Sequence, residues 1–359
     1  MKNSFSSLIL SIMIGLMSCS ETANTQTGAI QGGNFDSEWL IPVNSVFDGG
    51  PGKDGIPSID APVFSVTSEI GFMEDDDLIL GIRIGDEIKG YPHPILDWHE
   101  IVNDRIGGKA LAITYCPLTG TGIGWDREMD GKETTFGVSG LLYNSNLIPY
   151  DRETDSNWSQ MLLKSVNGER IGEEVKVYSL VETRWETWKK MFPSAQVMNL
   201  NTGFRRQYDQ YPYGDFRTNH DFLIFPVTND DNRLPRKERG MGVLEGGAAK
   251  FYRLLDFNTE KVVVKNDLVG GKDLLLVGSA ALDFLVAFYL PQDRDAGDFE
   301  AVPDGGAIVM RDNKGNEWDV FGTAVSGPDA GTRLEQPPHF MGYWFAWGAF
   351  YPEIPVYGL

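Results

Sequence analysis

Cysteine is scarce: the 359 residues contain two, alongside four histidines. Two cysteines cannot build a disulfide framework, which excludes a disulfide-stapled secreted scaffold. Basic side chains are the minority, 31 against 51 acidic ones, for a formal net charge of -20. Phosphate backbones would be repelled, so nucleic acid is not an expected partner. After the first residues, no apolar run is long enough to cross a bilayer as a helix. Calcium-loop spacing is missing around Asp75-Asp76-Asp77 and Asp230-Asp231. The spacing of Gly120-Thr-Gly122-Ile-Gly124 fits neither a dinucleotide fingerprint nor a phosphate loop, and Trp125-Asp126 continues a strand.

The N-terminus carries one basic residue, Lys2, then an apolar stretch from Leu8 to Leu16. Leu16-Met17-Ser18-Cys19 resembles a bacterial lipobox. Residues 1–18 are therefore expected to be a signal peptide, with lipid on Cys19. Residues 19–36 read as a polar tether. The mature chain would sit at a membrane surface in the bacterial cell envelope, outside the cytoplasm. Cys116 is then left without an intrachain partner, so it should be buried, metal-bound or reactive.

The chain also repeats itself. Asn103-Asp104-Arg-Ile-Gly107-Gly108-Lys109 returns as Asn266-Asp267-Leu-Val-Gly270-Gly271-Lys272. Trp185-Glu-Thr-Trp188 returns as Trp344-Phe-Ala-Trp347, and Trp158 and Gly168 align with Trp318 and Gly327. Copy one carries His93, His99 and Cys116 where copy two offers Asp256, Val262 and Ser279. Chemistry kept in one copy points to one site.

The expected fold is α+β: two β-rich lobes related by internal duplication, with short helices packed on antiparallel sheets. The first lobe is placed at 37–204, and 205–359 forms a connector and a degenerate second lobe. Leu78 to Ile84 and Ile88 to Tyr91 form a hairpin around Gly85-Asp86. Pro94 opens a helix to about Asp104, stopped by Gly107-Gly108. Strands follow at 110–116, 121–126, 134–138 and 141–150. Residues 156–162 read as a helical turn, and 182–191 as a helix. The aromatic run Tyr343 to Trp347 is assigned to an interlobe core.

On the predicted helix, Trp98, Val102, Ile106 and Leu96 share an arc that contains His99. His99 should therefore face a core or cleft. His93 sits at the strand-to-helix junction, and Cys116 ends a strand before Pro117. Convergence of these groups suits two chemistries. One is a mononuclear metal site with His93, His99 and Cys116 as ligands and Glu100, Asn103 and Tyr115 behind them. Sulfur and nitrogen donors favour copper, with Met161, Met241 or Met341 as an axial candidate and zinc as the alternative. The other is a nucleophilic Cys116 activated by His99, with Glu100 or Asn103 orienting the ring, as in a hydrolase or transferase. A non-catalytic envelope protein that binds a ligand in an interlobe cleft is the third reading. His220 and His339 are assigned structural or surface roles.

Tyr91-Pro92, His99-Glu100-Ile-Val-Asn103-Asp104, Thr114-Tyr115-Cys116-Pro117-Leu118-Thr119-Gly120, Tyr150-Asp151-Arg152, Trp158-Ser-Gln160 and Trp344-Phe345-Ala346-Trp347 together resemble the bacterial domain-of-unknown-function family 3179. The resemblance spans about Asp54 to Tyr357. It implies a secreted or lipid-anchored protein. Relatives with a second cysteine where Thr119 stands would hold a Cys-x-x-Cys redox couple, which this chain cannot form.

Overall fold

A computed structural model describes residues 38–257, 261–303 and 306–359. Cys19, the expected signal peptide and all of the tether lie outside the described residues. The fold is α+β: short antiparallel strands dominate, with three seven-residue helices, α1 (His93–His99), α2 (Trp185–Met191) and α3 (Trp344–Phe350).

The two copies share an element order. The hairpin Leu78–Ile84 with Glu87–Pro92 answers to Arg239–Glu245 with Ala248–Arg253. The meander Ile101–Ile106, Lys109–Cys116, Thr121–Asp126 answers to Val263–Val269, Lys272–Ser279, Phe284–Tyr289. Side-chain contacts repeat as well. Tyr91 donates to Asp104 at 2.7 Å, and Tyr252 to Asp267 at 2.8 Å. The indole N–H of Trp158 donates to Asp151 at 2.9 Å, and that of Trp318 to Asp312 at 3.1 Å. The Gly-Gly turns occupy left-handed backbone in both copies, with φ of 53° and 77° against 54° and 80°.

The copies exchange helices between their cores. Trp185 and Trp188 of α2 pack with Phe284, Trp318 and Phe321 of the second copy. Trp344 and Trp347 of α3 pack with Trp125, Phe136 and Trp158 of the first. Backbone and side-chain bonds mark both crossings. The Thr183 hydroxyl donates to the Leu282 carbonyl at 2.7 Å, and Tyr343 N–H donates to the Thr119 carbonyl at 2.8 Å. Each helix also lies close on its own hairpin, where a Cβ at Gly81 or Gly242 would come within 2.2 Å of the Trp188 or Trp347 ring.

Several expected elements change. The helix predicted to Asp104 ends at His99, and residues 101–106 are a strand. Glu100 terminates it with φ of 58°, and Ile101 to Ile106 pair antiparallel with 109–114 across the Gly-Gly turn. The alternation in Ile-Val-Asn-Asp-Arg-Ile fits a strand as well as a helix, and sheet pairing decides. Residues 157–159 are a strand, not a helical turn, and 181–184 form a strand before α2. The long strand 141–150 is broken by a turn at Asn144-Ser145. The match of His93 to Asp256 also shifts. Tyr91 and Asp104 are 13 apart, whereas Tyr252 and Asp267 are 15 apart, so copy two has two inserted residues and Leu254 follows its hairpin as His93 does.

Candidate functional site

Cys116 closes strand Lys109–Cys116 and is 1% exposed. Its Sγ lies 3.6 Å from the Ser145 carbonyl. Burial, then the neighbouring Glu100, pushes the thiol up to about 11. The sulfur is therefore a neutral thiol in this state, poorly suited to nucleophilic attack. The turn after it is pinned from below: Asn146 Nδ2 reaches Thr119 and Thr121, and Thr121 donates to Gln160 at 2.6 Å.

His99 is fully buried, and both ring nitrogens have partners. Nδ1 lies 2.8 Å from the Pro57 carbonyl, an acceptor, so Nδ1 carries the proton. Nε2 then accepts from the Tyr208 hydroxyl at 2.8 Å. Burial lowers the imidazole's pKa and favours this neutral form. No hydrogen bond joins His99 to Cys116. His93 and His99 also diverge. Six residues of α-helix turn the chain by about 240° beyond a full revolution, so the two rings leave α1 on different sides. Among the described residues, no group of three or more His, Cys, Asp or Glu side chains could hold a metal ion.

Asn103 serves the sheet. Its Nδ2 donates to the Phe136 carbonyl at 2.8 Å and to Asp60, and its Oδ1 accepts from Phe136 N–H at 2.9 Å. Glu100 is 5% exposed and its carboxyl has no hydrogen-bond partner. Burial, then the Asp97 charge, raises it to about 8, so it is mostly protonated at neutral pH.

Open space near α1 lies on its other side, around His93; larger clefts lie elsewhere, among them one beside Lys272 and Arg333. A cavity of about 190 Å³ is lined by His93 and Tyr115 of the first copy, Arg239 and Tyr343 of the second, and Arg217 of the connector. Leu78, Gly120, Glu182 and the exposed Thr218 also line it. Glu182 bonds Arg239 at Nη2 through one oxygen and approaches His93 Nε2 to 3.3 Å with the other. That separation is within ion-pair range but lacks hydrogen-bond geometry, and neither His93 nitrogen has a hydrogen-bond partner. Burial pushes the Glu182 carboxyl up, but the Arg239 charge and then His93 outweigh it and hold the pKa at about 2. Arg217 grips both oxygens of Asp97 and stacks on the Tyr211 ring at 3.9 Å. The His93 and Tyr115 rings meet at 4.3 Å between centroids.

Residues 53–354 match the family model described as a protein of unknown function, DUF3179. The chain belongs to that family. The matched stretch contains both copies and every cavity residue. No curated protein and no solved structure matches the chain.

Sequence reasoning found His93 and Tyr115 but missed Glu182, Arg217, Arg239 and Tyr343. A signal existed for two of them. Arg239 pairs with Tyr343 as Leu78 pairs with Arg184, so copy two departs from copy one at both members of one register pair.

Proposed function

We propose that the protein is a small-molecule binding protein of the bacterial cell envelope, anchored by lipid on Cys19, with its ligand site in the cavity between the two copies. The observation that carries this reading is His93: 2% exposed and in the wall of a cavity, its Nε2 is 3.3 Å from the Glu182 carboxylate without hydrogen-bond geometry, and its Nδ1 has no hydrogen-bond partner. Buried polar groups are ordinarily satisfied, and one left open beside a cavity is explained by a missing partner. The copper, zinc and nucleophile readings have less support, because His99 is saturated and Cys116 is a buried neutral thiol. His93 and Tyr115 keep a role as wall residues. The first lobe ends at residue 204, and the connector and second lobe begin at 205.

The test is extraction and mass spectrometry of small molecules from the mature chain, followed by thermal melts with candidate ligands. A ligand at a hundred times its dissociation constant should stabilise the fold by about 2.7 kcal/mol. Leu78→Phe, which fills the cavity, should abolish that gain. Stabilisation that persists in the filled variant would place the ligand elsewhere.

A further inference from the structure

We infer that the cavity's ligand is an uncharged carbonyl compound of about six heavy atoms, with its carbonyl oxygen held between the Tyr115 and Tyr343 hydroxyls. This rests on the cavity reading above and gives it a ligand class.

Four observations lead there. First, both tyrosine hydroxyls lack a hydrogen-bond partner among the described residues, although the side chains are 1% and 5% exposed and line the cavity. Burial holds both phenols protonated, so each is a standing donor. The wall therefore offers two donors to a ligand that accepts.

Second, the fixed charges around the cavity are already matched. Arg217 pairs with Asp97, Arg239 with Glu182 and Asp283, and Arg184 with Asp283. Three guanidinium groups face three carboxylates, and the His93 ring also lies 3.3 Å from Glu182. An anionic ligand would bring an unmatched charge into a buried site, which is costly. An uncharged acceptor would not.

Third, Leu78 and the ring faces of Tyr115 and His93 give the wall an apolar body. Fourth, a cavity of about 150 Å³ accommodates benzene, and this one is about 190 Å³. A five- or six-membered ring with one carbonyl is of the size this space accommodates.

Cyclopentanone is the probe, methylenecyclopentane its isostere without an acceptor, and acetate the charged comparison. Titration calorimetry on the mature full chain should find the ketone bound about tenfold more tightly than the alkene, and acetate weaker than the ketone. Tyr115→Phe and Tyr343→Phe should each weaken ketone binding about three- to tenfold. The infrared carbonyl stretch of the bound ketone should move toward its free value in each variant. Neither variant should melt earlier, because neither hydroxyl bonds to the protein. Equal binding of ketone and alkene, or acetate binding more tightly than both, overturns the inference while leaving the cavity as a ligand site. If no probe binds, the inference falls and the cavity reading stands on its own test; if the ketone binds equally to Leu78→Phe, both fall.

Discussion

Arg239 of the second copy forms an ion pair with Glu182 of the first, a carboxylate that is 3% exposed. This pair ties strand Arg239–Glu245 to strand Val181–Arg184 and sets the floor of the cavity. Removing one partner leaves the other charge buried and unmatched. Arg239→Met should lower stability by about 3 kcal/mol, read from chemical denaturation. The pH sign follows from the depressed Glu182 pKa. Its contribution is complete above the unfolded carboxyl range and is lost as pH falls toward about 2. Wild type should therefore lose stability over that window more steeply than Arg239→Met.

Glu100 works in the opposite direction. Its folded pKa is raised to about 8 from 4.5, so between those values the folded state holds a proton the unfolded state has lost. Stability should fall with rising pH across this window, by at most about 1.4 kcal/mol per unit. Glu100→Gln keeps the shape and removes the titration. It should flatten the pH dependence of the melting temperature between pH 5 and 8, with its largest gain at the alkaline end. An unchanged slope would show that Glu100 finds a partner in solution.

Cys116 should react slowly. With its thiol pushed to about 11 from 9, the thiolate fraction at pH 8 is about a hundredfold below that of an unperturbed thiol, before burial slows access further. Iodoacetamide labelling in native buffer should be slow and should become rapid in urea. Fast native labelling would restore the nucleophile reading.

The metal readings have their own check. Copper or zinc uptake by the mature chain should be the same in wild type, Cys116→Ser and His99→Ala. Stoichiometric uptake lost in both variants would return those side chains to a shared site. Ser279 stands at the position of Cys116 in copy two and is buried, so serine suits the scaffold there.

Gly81→Ala and Gly242→Ala should each destabilise by about 2–3 kcal/mol, because the added methyl would meet the Trp188 or Trp347 ring at 2.2 Å. Denaturant titration of both variants reads the cost. Near-equal losses would show that the two helices are seated alike.

Much of the scaffold was legible because it rests on local chemistry. Gly107-Gly108 and Gly270-Gly271 announce turns that need left-handed backbone, and the paired tryptophans mark α2 and α3. The helix at 94–104 was misread because a six-residue apolar alternation fits either period, and only pairing with 109–114 settles it. Burial of His99 was legible; its partners Pro57 and Tyr208, 42 and 109 residues away, were not. The cavity was the least legible. Arg239 and Tyr343 reach it only because the two copies interlock, and Arg217 arrives on the connector; no local pattern encodes either.

The exchanged helices make the halves interdependent. Cutting the chain near residue 204 would strip the first half of Trp344 and Trp347, and the second half of Trp185 and Trp188. Each fragment would expose an aromatic socket shaped for the other's plug. The doubled plan is therefore expected to melt in a single transition rather than half by half.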